Sequence, residues 1–362
     1  MGEAAEKSTR VDEKVLSLDF ECLRSLPEGI NEVRQWYDNL LKCHRVGKRI
    51  DVSGMERDDV LPEASTLQSI DHRNVVPIVA AAQVSGYTPP IKVIELVTPY
   101  FERGSVTDAL LDGITFTAHE AVAITQAALR GLGEIHEVYG ICHRDMKSGN
   151  ILLCTDASVA RVADLGLAGR FDEGGHVPAV SNPTLYSPSE FATSGHLTRA
   201  SDIYPMGLVL RELLGGAFPY ATYTTTGIVE RMSRGQSPLL GVDAGLPVWV
   251  SRSLRRIHRK ATMKSPDDRY QQAAEMDAAL ARAVVVDWVQ VTEHRWEAPF
   301  THQSKRIAVE AKPRKIIGYR LSVTVNSGSG WRRIRPDVDV DDLTGPQTRT
   351  VFDQASDVAS VR

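Results

Sequence analysis

Residues 143–150, with the sequence HRDMKSGN, place several polar groups of different chemistry in one short stretch of the chain. Asp145 supplies a carboxylate, Lys147 an ammonium and Asn150 a side-chain amide, and Asp164 adds a second carboxylate within Asp-Leu-Gly. Phosphoryl transfer to a hydroxyl requires such a set, because charge spreads over the transferred oxygens and catalysis consists largely of positioning and electrostatic stabilisation. One carboxylate would orient the attacking hydroxyl, while the amide and the other carboxylate would hold magnesium.

This pattern, H-R-D-x-K-x-x-N followed by D-x-G, resembles the catalytic and metal-binding loops of eukaryotic-type serine/threonine protein kinases. The resemblance implies that Asp145 is the catalytic base and that Lys147 contacts the transferred phosphate. It also implies that Asn150 and Asp164 bind the metal, with ATP as the phosphoryl donor and Mg²⁺, or alternatively Mn²⁺, as the ion. His143 is expected to pack and to form hydrogen bonds within the loop.

Three more residues extend the resemblance along the chain. Glu190 ends a Pro-Ser-Glu stretch that stands where the family has A-P-E, and Arg269 is its expected ion-pair partner. Asp202 is similar to the helix aspartate that anchors the catalytic loop backbone in the family. The threonine expected three residues before Tyr186 is replaced by Pro183, so the substrate-binding end of this segment departs from the family pattern.

Arg144, directly before the proposed base, gives a separate prediction about regulation. Kinases with an arginine at this position often neutralise it with a phosphorylated residue of the activation segment. We therefore predict Ser181 or Thr184 as the phosphorylated residue.

The amino-terminal region carries a less regular version of the family's nucleotide-binding elements. A helix is predicted over residues 57–71, where Glu63 begins a pattern that resembles the regulatory helix. Its partner would be a phosphate-binding lysine, for which Lys48 is the main candidate and Lys42 the alternative. The family's G-x-G-x-x-G loop is absent, and Gly29 is the single glycine of a shortened remnant. Because glycines let backbone amides approach the phosphates, this loop predicts weaker nucleotide cover.

The segment 94–105 resembles the hinge that holds the adenine base in kinases. By this resemblance, Pro99 offers a carbonyl group and Phe101 offers an amide and a carbonyl to the base edge. Ser105 or Asp108 is the candidate for contacting the ribose.

The pattern of apolar residues predicts an α+β, bilobal protein-kinase-like fold. Strands dominate a small N-lobe at about residues 21–98, and helices dominate a larger C-lobe at about 102–284, where residues 118–138 have one apolar stripe at helical spacing. The predicted strands are 33–37, 45–50, 78–82 and 91–97. The further predicted helices run from Ser201 or Asp202 to Gly215 and over 226–234, 248–262 and 269–284.

The two ends of the chain differ from this central domain. Residues 1–20 are expected to be a flexible tail, 285–336 a basic strand-rich extension, and 337–362 an acidic and flexible tail. Residues 301–336 carry nine Lys or Arg and one acid. Three interpretations remain open for this charge: a solvated strand face, a docking site for an acidic protein partner or the chain's own aspartates, or a nucleic-acid site that uses Trp331.

Composition limits the class of protein. The chain has 362 residues, of which 42% are hydrophobic, and a net charge of −4, which argues against a generic nucleic-acid or membrane-surface binder. No signal peptide or membrane span is predicted, and the four cysteines show no zinc spacing. We therefore expect reduced thiols, a cytoplasmic location and no membrane partner, and the Ala, Arg, Val and Gly content predicts a bacterial source.

These observations favour an active, ATP- and magnesium-dependent kinase that phosphorylates serine and threonine hydroxyls of proteins. The main alternative is a pseudokinase, a nucleotide-binding scaffold whose output is partner binding, because the glycine loop is degenerate. A small-molecule kinase of the aminoglycoside type fits less well, since such enzymes generally lack a counterpart of Lys147.

Overall fold

The computed structural model describes residues 19–26, 33–51, 69–156, 159–180 and 183–360. The chain forms two compact units. The first comprises Met1–Ala64 and Ile78–Tyr100, and the second comprises Ser65–Pro77 and Phe101–Arg362.

The first unit is built on a five-stranded antiparallel sheet with the strand order β1-β2-β3-β5-β4. Its strands are β1 (Phe20–Leu26), β2 (Val33–Asp38), β3 (Cys43–Asp51), β4 (Ala80–Gln83) and β5 (Val93–Pro99). β-branched and aromatic residues that alternate with polar ones favour this half-buried arrangement, and Val33 and Val97 are buried in it. The prediction of a β-rich N-terminal region is confirmed. Gly29, Glu63 and most of the predicted helix at 57–71 lie outside the described residues.

Helices dominate the first part of the second unit, as predicted. They are α1 (Val106–Leu111), α2 (Ala118–Glu137), α3 (Glu190–Thr193), α4 (Arg199–Gly215), α5 (Thr225–Ser233), α6 (Arg252–Ala261) and α7 (Ala273–Ala281). Short antiparallel strand pairs lie between them: β6 (Ile141–Cys142) with β9 (Gly169–Arg170), β7 (Ile151–Leu153) with β8 (Ala160–Val162), and β10 (Val177–Pro178) with β11 (His196–Leu197). No described helix is long and apolar enough to cross a membrane.

Two helices form the centre of this unit. Thr117 caps α2, and the side chain of Glu120 returns a hydrogen bond to the Thr117 backbone, which satisfies backbone donors that the helix itself leaves free. Helix α4 is buried along almost its whole length and packs against α2 and α6. The prediction that Ser201 or Asp202 caps α4 is wrong. Thr198 is the cap residue and bonds reciprocally with Ser201, while the Asp202 side chain bonds to the loop that follows β6.

The C-terminal part of the second unit is a six-stranded antiparallel sheet covered by a helix. Its strands are β12 (Val289–Thr292), β13 (Arg295–Pro299), β14 (Arg306–Pro313), β15 (Tyr319–Asn326), β16 (Trp331–Arg333) and β17 (Val338–Val340), and the helix is α8 (Pro346–Ser360). The rings of Trp288 and Trp296 meet the Phe352 ring edge-on, at centroid distances of 5.1 and 5.5 Å. These aromatic contacts give the extension a hydrophobic core of its own.

The expectation that residues 337–362 are flexible is therefore wrong for most of that segment. Strand β17 pairs with β15, and α8 buries Val351, Phe352, Ala355 and Ala359 against the sheet. These residues follow helical spacing, but polar residues between them hide the apolar stripe. The helix is also tied to α6, because Arg255 donates to Asp353 at 2.6 Å.

The basic segment 301–336 meets the chain's own aspartates, which was one of the interpretations open from the sequence. Arg320 donates to Asp339 at 2.8 and 3.2 Å, and Arg314 lies 3.4 Å from the same carboxylate. Arg333 lies 3.3 Å from Asp337. The acidic strand β17 therefore neutralises part of the basic sheet.

Candidate active site

The loop between β6 and β7 brings together three of the residues singled out from the sequence. Lys147 Nζ donates to Asp145 Oδ2 at 2.7 Å. The side-chain amide of Asn150 donates to the Asp145 backbone oxygen at 2.7 Å and to its Oδ2 at 3.1 Å. A short 3₁₀ turn, Ser148–Asn150, places Asn150 so that it reaches back to Asp145. The carboxylate of Asp145 is thus held in one orientation by a cation and an amide.

Asp164 is brought next to this loop by the pairing of β7 with β8. Val162 is opposite Ile151, and the Ala163 amide donates to the Asn150 backbone oxygen at 2.9 Å. Asp164 has a φ angle of 61°, a left-handed conformation that Asp tolerates better than most residues, and its Oδ1 accepts from the Gly166 amide at 3.2 Å. The backbone that carries the Asp164 carboxylate therefore lies adjacent to Asn150.

His143 is fully buried and forms hydrogen bonds inside the loop, as expected from the resemblance. Its Nε2 lies 3.0 Å from the Ala163 backbone oxygen, and its Nδ1 lies 3.3 Å from the Asp145 amide nitrogen. An imidazole with its proton on Nε2 satisfies both contacts, since Nδ1 then accepts from the amide. His143 therefore links the loop after β6 to the residue that follows β8.

Asp202 anchors the start of the catalytic loop, and this prediction is confirmed. Its carboxylate accepts from the backbone amides of His143 at 2.7 Å and Arg144 at 3.0 Å. His136 Nε2 lies 2.8 Å from the same carboxylate, and the Cys142 thiol donates to it at 3.3 Å. Burial opposes ionisation of Asp202, but the hydrogen bond and charge of His136 bring its pKa below the ordinary value. Burial, and then the nearby Asp202 charge, raises the pKa of the Cys142 thiol.

Arg144 is bound by the backbone of the segment that follows Asp164. Its guanidinium donates to three carbonyl oxygens, those of Leu167, Ala168 and Pro178. Gly169 allows this approach, because a Cβ at that position would lie 2.7 Å from the Arg144 Cζ atom. Ser181 lies outside the described residues, so the phosphorylation of Ser181 or Thr184 stays a prediction.

Glu190 and Arg269 form the ion pair predicted from the sequence. Two parallel hydrogen bonds of 2.5 and 2.8 Å join the guanidinium to the carboxylate. Arg269 also donates to three backbone oxygens, those of Met263, Ala200 and Lys264. Both side chains are buried, so the pair ties the start of α3 to the loop before α7.

In the first unit, Lys48 lies on the central strand β3, where it is opposite Val33 on β2 and Leu96 on β5. Lys42 lies in the preceding turn and has a φ angle of 53°. Pro99 ends β5, opposite Arg45. The strand position favours Lys48 over Lys42 as the phosphate-binding lysine, and that role stays a prediction.

In the second unit, Ser105 and Asp108 bond to each other at the start of α1. The Ser105 hydroxyl donates to Asp108 Oδ2 at 2.7 Å, and the Ser105 amide donates to the same oxygen at 2.8 Å. This capping box uses the groups that were assigned to the ribose, so that assignment stays a prediction. Arg161 lies 5.8 Å from the centre of the Phe101 ring.

A buried cluster beside the catalytic loop was missed in the sequence. It is centred on Glu212 in α4 and reaches the loop at Ser148. The signal available in the sequence was a glutamate in the largely apolar second half of a helix, next to Leu210, Leu213 and Leu214. A buried carboxylate at such a position must find hydrogen-bond donors.

Comparisons with known proteins agree with this geometry. A family model described as "Protein kinase domain" matches residues 30–280, which is more than half of the chain. The brassinosteroid LRR receptor kinase of Solanum lycopersicum is 29% identical over 267 residues, which cover 70% of this chain and 20% of that protein. Serine/threonine-protein kinase PrkC of Bacillus subtilis is 28% identical over 230 residues, which cover 62% of this chain and 33% of that protein.

A shorter match has higher identity. The probable serine/threonine-protein kinase PBL15 of Arabidopsis thaliana is 34% identical over 176 residues, 47% of this chain and 40% of that protein. The chain therefore matches between 20% and 40% of the length of these three relatives.

Proposed function

Because this chain belongs to the protein kinase family, we propose that it transfers the γ-phosphoryl group of ATP to serine or threonine hydroxyls of protein substrates. The observation that carries the proposal is the bonded set of Asp145, Lys147 and Asn150, with Asp164 two residues after strand β8, which pairs with β7. Such a set is what in-line phosphoryl transfer needs from a protein.

Asp145 would accept the proton of the attacking hydroxyl or orient that hydroxyl towards the phosphorus. General-base assistance of this kind typically contributes about 10²–10⁴ in rate. Lys147, which lies 2.7 Å from the Asp145 carboxylate, would place its positive charge beside the transferred phosphoryl group. A lysine at this position is typical of serine/threonine kinases, and this supports that substrate class.

The donor set of Asn150 and Asp164 fits a magnesium ion, since both side chains offer the hard oxygen ligands that this cation prefers. The Asn150 amide nitrogen is used by Asp145, so the amide oxygen is the atom that would face the metal. When bound, the ion would neutralise phosphate charge. Lys48, with Glu63 as its ion-pair partner, would hold the ATP phosphates, with the backbone near Gly29 as cover, and Pro99 and Phe101 would contact the base.

The proposal is tested by incubating the full chain with labelled ATP, Mg²⁺ or Mn²⁺, and a generic basic protein substrate. We expect label on serine or threonine, and its loss in Asp145→Asn, which keeps the size of the side chain. Asp112→Asn, at an exposed helix end, is the matched control and should keep full transfer.

The alternative is a scaffold that binds nucleotide without transferring phosphate, and the shortened glycine loop favours it. Nucleotide binding by the wild-type chain with no label on any substrate, with either metal, would support the scaffold and contradict the kinase. Label on tyrosine alone would overturn the serine/threonine assignment.

A further inference from the structure

Five side chains from five different parts of the second unit form a hydrogen-bonded cluster under the catalytic loop; Ser148, Tyr186 and Glu212 are buried, and Thr107 and Tyr220 are half-buried. Ser148 Oγ lies 2.6 Å from Thr107 Oγ1 and 2.7 Å from the Tyr186 hydroxyl oxygen. Tyr186 donates to Glu212 Oε2 at 2.6 Å, and Tyr220 donates to Glu212 Oε1. The cluster thus joins α1, the catalytic loop, the segment before α3, α4 and the turn Tyr220–Thr222.

The number of available protons determines which group donates in each hydrogen bond of this cluster. Each hydroxyl has one proton, and the protons of Tyr186 and Tyr220 are used on the Glu212 carboxylate. Ser148 must then donate to the Tyr186 oxygen, and Thr107 must donate to Ser148. Every hydrogen bond along this path therefore points towards Glu212, and charge-assisted bonds of this kind are stronger than neutral ones.

The tyrosines remain donors at neutral pH. Burial, and then the Glu212 charge, raises the pKa of Tyr220 to about 12, and the same causes raise the pKa of Tyr186. Burial also raises the pKa of Glu212, although the hydrogen bonds from both tyrosines oppose that change. A fully satisfied network in a buried site is rigid, since no member can turn without losing a partner.

Ser148 lies between the groups that would do the chemistry. Lys147 precedes it and Asn150 follows it by two residues, and both side chains hold Asp145. The only described side-chain hydrogen bonds of Ser148 are those to Thr107, Tyr186 and Tyr220. The orientation of the short turn Ser148–Asn150 is therefore fixed from beneath by this network.

We propose that Glu212, acting through Tyr186 and Ser148, is a positioning residue for Lys147, Asn150 and Asp145 in phosphoryl transfer. The proposal rests on the proposed kinase function. Glu212 itself is fully buried and does not contact the reacting groups. It determines where the catalytic loop lies, and a displacement of about 1 Å in such a loop can reduce the rate about a hundredfold.

Two tyrosines bound to the same carboxylate provide a matched pair of variants. Tyr186→Phe removes both the contact with Ser148 and one contact with Glu212. Tyr220→Phe removes one contact with Glu212 and the longer contacts with Tyr186 at 3.0 Å and Ser148 at 3.4 Å, but it keeps the path from Ser148 through Tyr186 to Glu212. We expect kcat to fall ten- to a hundredfold in Tyr186→Phe and in Ser148→Ala, and less than threefold in Tyr220→Phe, with KM for ATP within twofold in all three.

The double variant separates positioning from general stability. Ser148→Ala combined with Tyr186→Phe should lower kcat no further than either single change, because both interrupt the same path. All rates are compared well below the unfolding temperature of each variant. If Ser148→Ala and Tyr186→Phe lose stability but keep kcat within twofold of wild type, the network is only structural and the proposal is wrong.

A second measurement does not depend on catalysis. Hydrogen exchange of the peptide that covers residues 143–150 should become at least fivefold faster in Ser148→Ala and Tyr186→Phe, and stay at the wild-type rate in Tyr220→Phe. If the wild-type chain transfers no phosphate, the proposed function fails and this measurement still decides the positioning role. Unchanged exchange in Ser148→Ala would overturn it.

Discussion

The guanidinium of Arg269 donates two parallel hydrogen bonds, of 2.5 and 2.8 Å, to the buried carboxylate of Glu190, which lies 79 residues earlier in the sequence. The Arg269 side chain has no exposed surface, and its remaining donors bind backbone oxygens. Neither charge can return to water while the fold is intact. The pair is therefore a structural requirement of the second unit.

Glu190→Gln should lower the free energy of unfolding by about 3–5 kcal/mol, because it leaves the Arg269 charge buried and unpaired. Denaturant unfolding monitored by tryptophan fluorescence measures this change. Glu230→Gln is the control: its pair with Arg234 is more than half exposed on both sides, and the change should stay within about 0.5 kcal/mol of wild type. Equal effects of the two substitutions would contradict the assignment.

His258 should make stability depend on pH in the mildly acidic range. Burial, and then the charge of Arg211, lowers the pKa of His258 from about 6.5 to about 4. The unfolded chain binds the proton first, so the free energy of unfolding should fall as pH decreases from about 6.5 to 4, by up to roughly 3 kcal/mol. Below the folded-state pKa both states are protonated and this contribution levels off.

His258→Leu should remove that part of the pH profile. Unfolding free energies of wild type and variant, measured at several pH values between 7 and 4, give the test. As pH decreases, the unfolding free energy of the wild type should fall relative to that of His258→Leu. A difference that is independent of pH would show that His258 does not have the lowered pKa.

Lys48 and Lys42 provide a comparison of two lysines close together in the chain. Lys48→Ala should reduce the rate of phosphoryl transfer at least a hundredfold, as is typical when an enzyme loses a group that stabilises charge in the transition state. Lys42→Ala, in the turn before β3, should leave the rate within a few fold of wild type. Initial rates at saturating ATP measure both, and the reverse order would place the phosphate-binding lysine at position 42.

Asp353 connects the C-terminal helix to the rest of the second unit. It lies 2.6 Å from Arg255 and 3.6 Å from Arg252 of α6. Asp353→Ala should lower the free energy of unfolding by about 1–3 kcal/mol, because the Arg255 bond is largely shielded from water. Asp357→Ala, an exposed aspartate on the same helix, is the control and should change stability by less than about 0.5 kcal/mol. A similar loss in both variants would count against the contact with α6.

The catalytic loop was recognisable in the sequence because its residues lie close together in the chain. Asp145, Lys147 and Asn150 interact across two to five residues, so their spacing already determines which groups meet. Helix α2 was equally clear, since one stripe of apolar residues faces the core along its whole length. The ion pair of Glu190 with Arg269 required the family resemblance, because nothing local connects two residues so far apart.

The parts that were missed depend on tertiary contacts. Ser201 and Asp202 are both good cap residues by type, and only the fold shows that the Asp202 carboxylate is taken by the catalytic loop. Helix α8 was mistaken for a flexible tail because Thr348, Asp353 and Ser356 are polar yet buried. Each has a partner outside the helix, such as Trp288 for Ser356. Sequence pattern alone does not reveal such partners.

The aspartates at strand β17 compete with any other anion for arginines of the basic sheet. Asp337 and Asp339 are covalently attached to the surface that they neutralise, so their effective concentration there exceeds that of a separate acidic molecule in solution. An external polyanion that binds Arg320 or Arg333 must compete with these aspartates. The attraction of acidic molecules to these two arginines is thereby weakened.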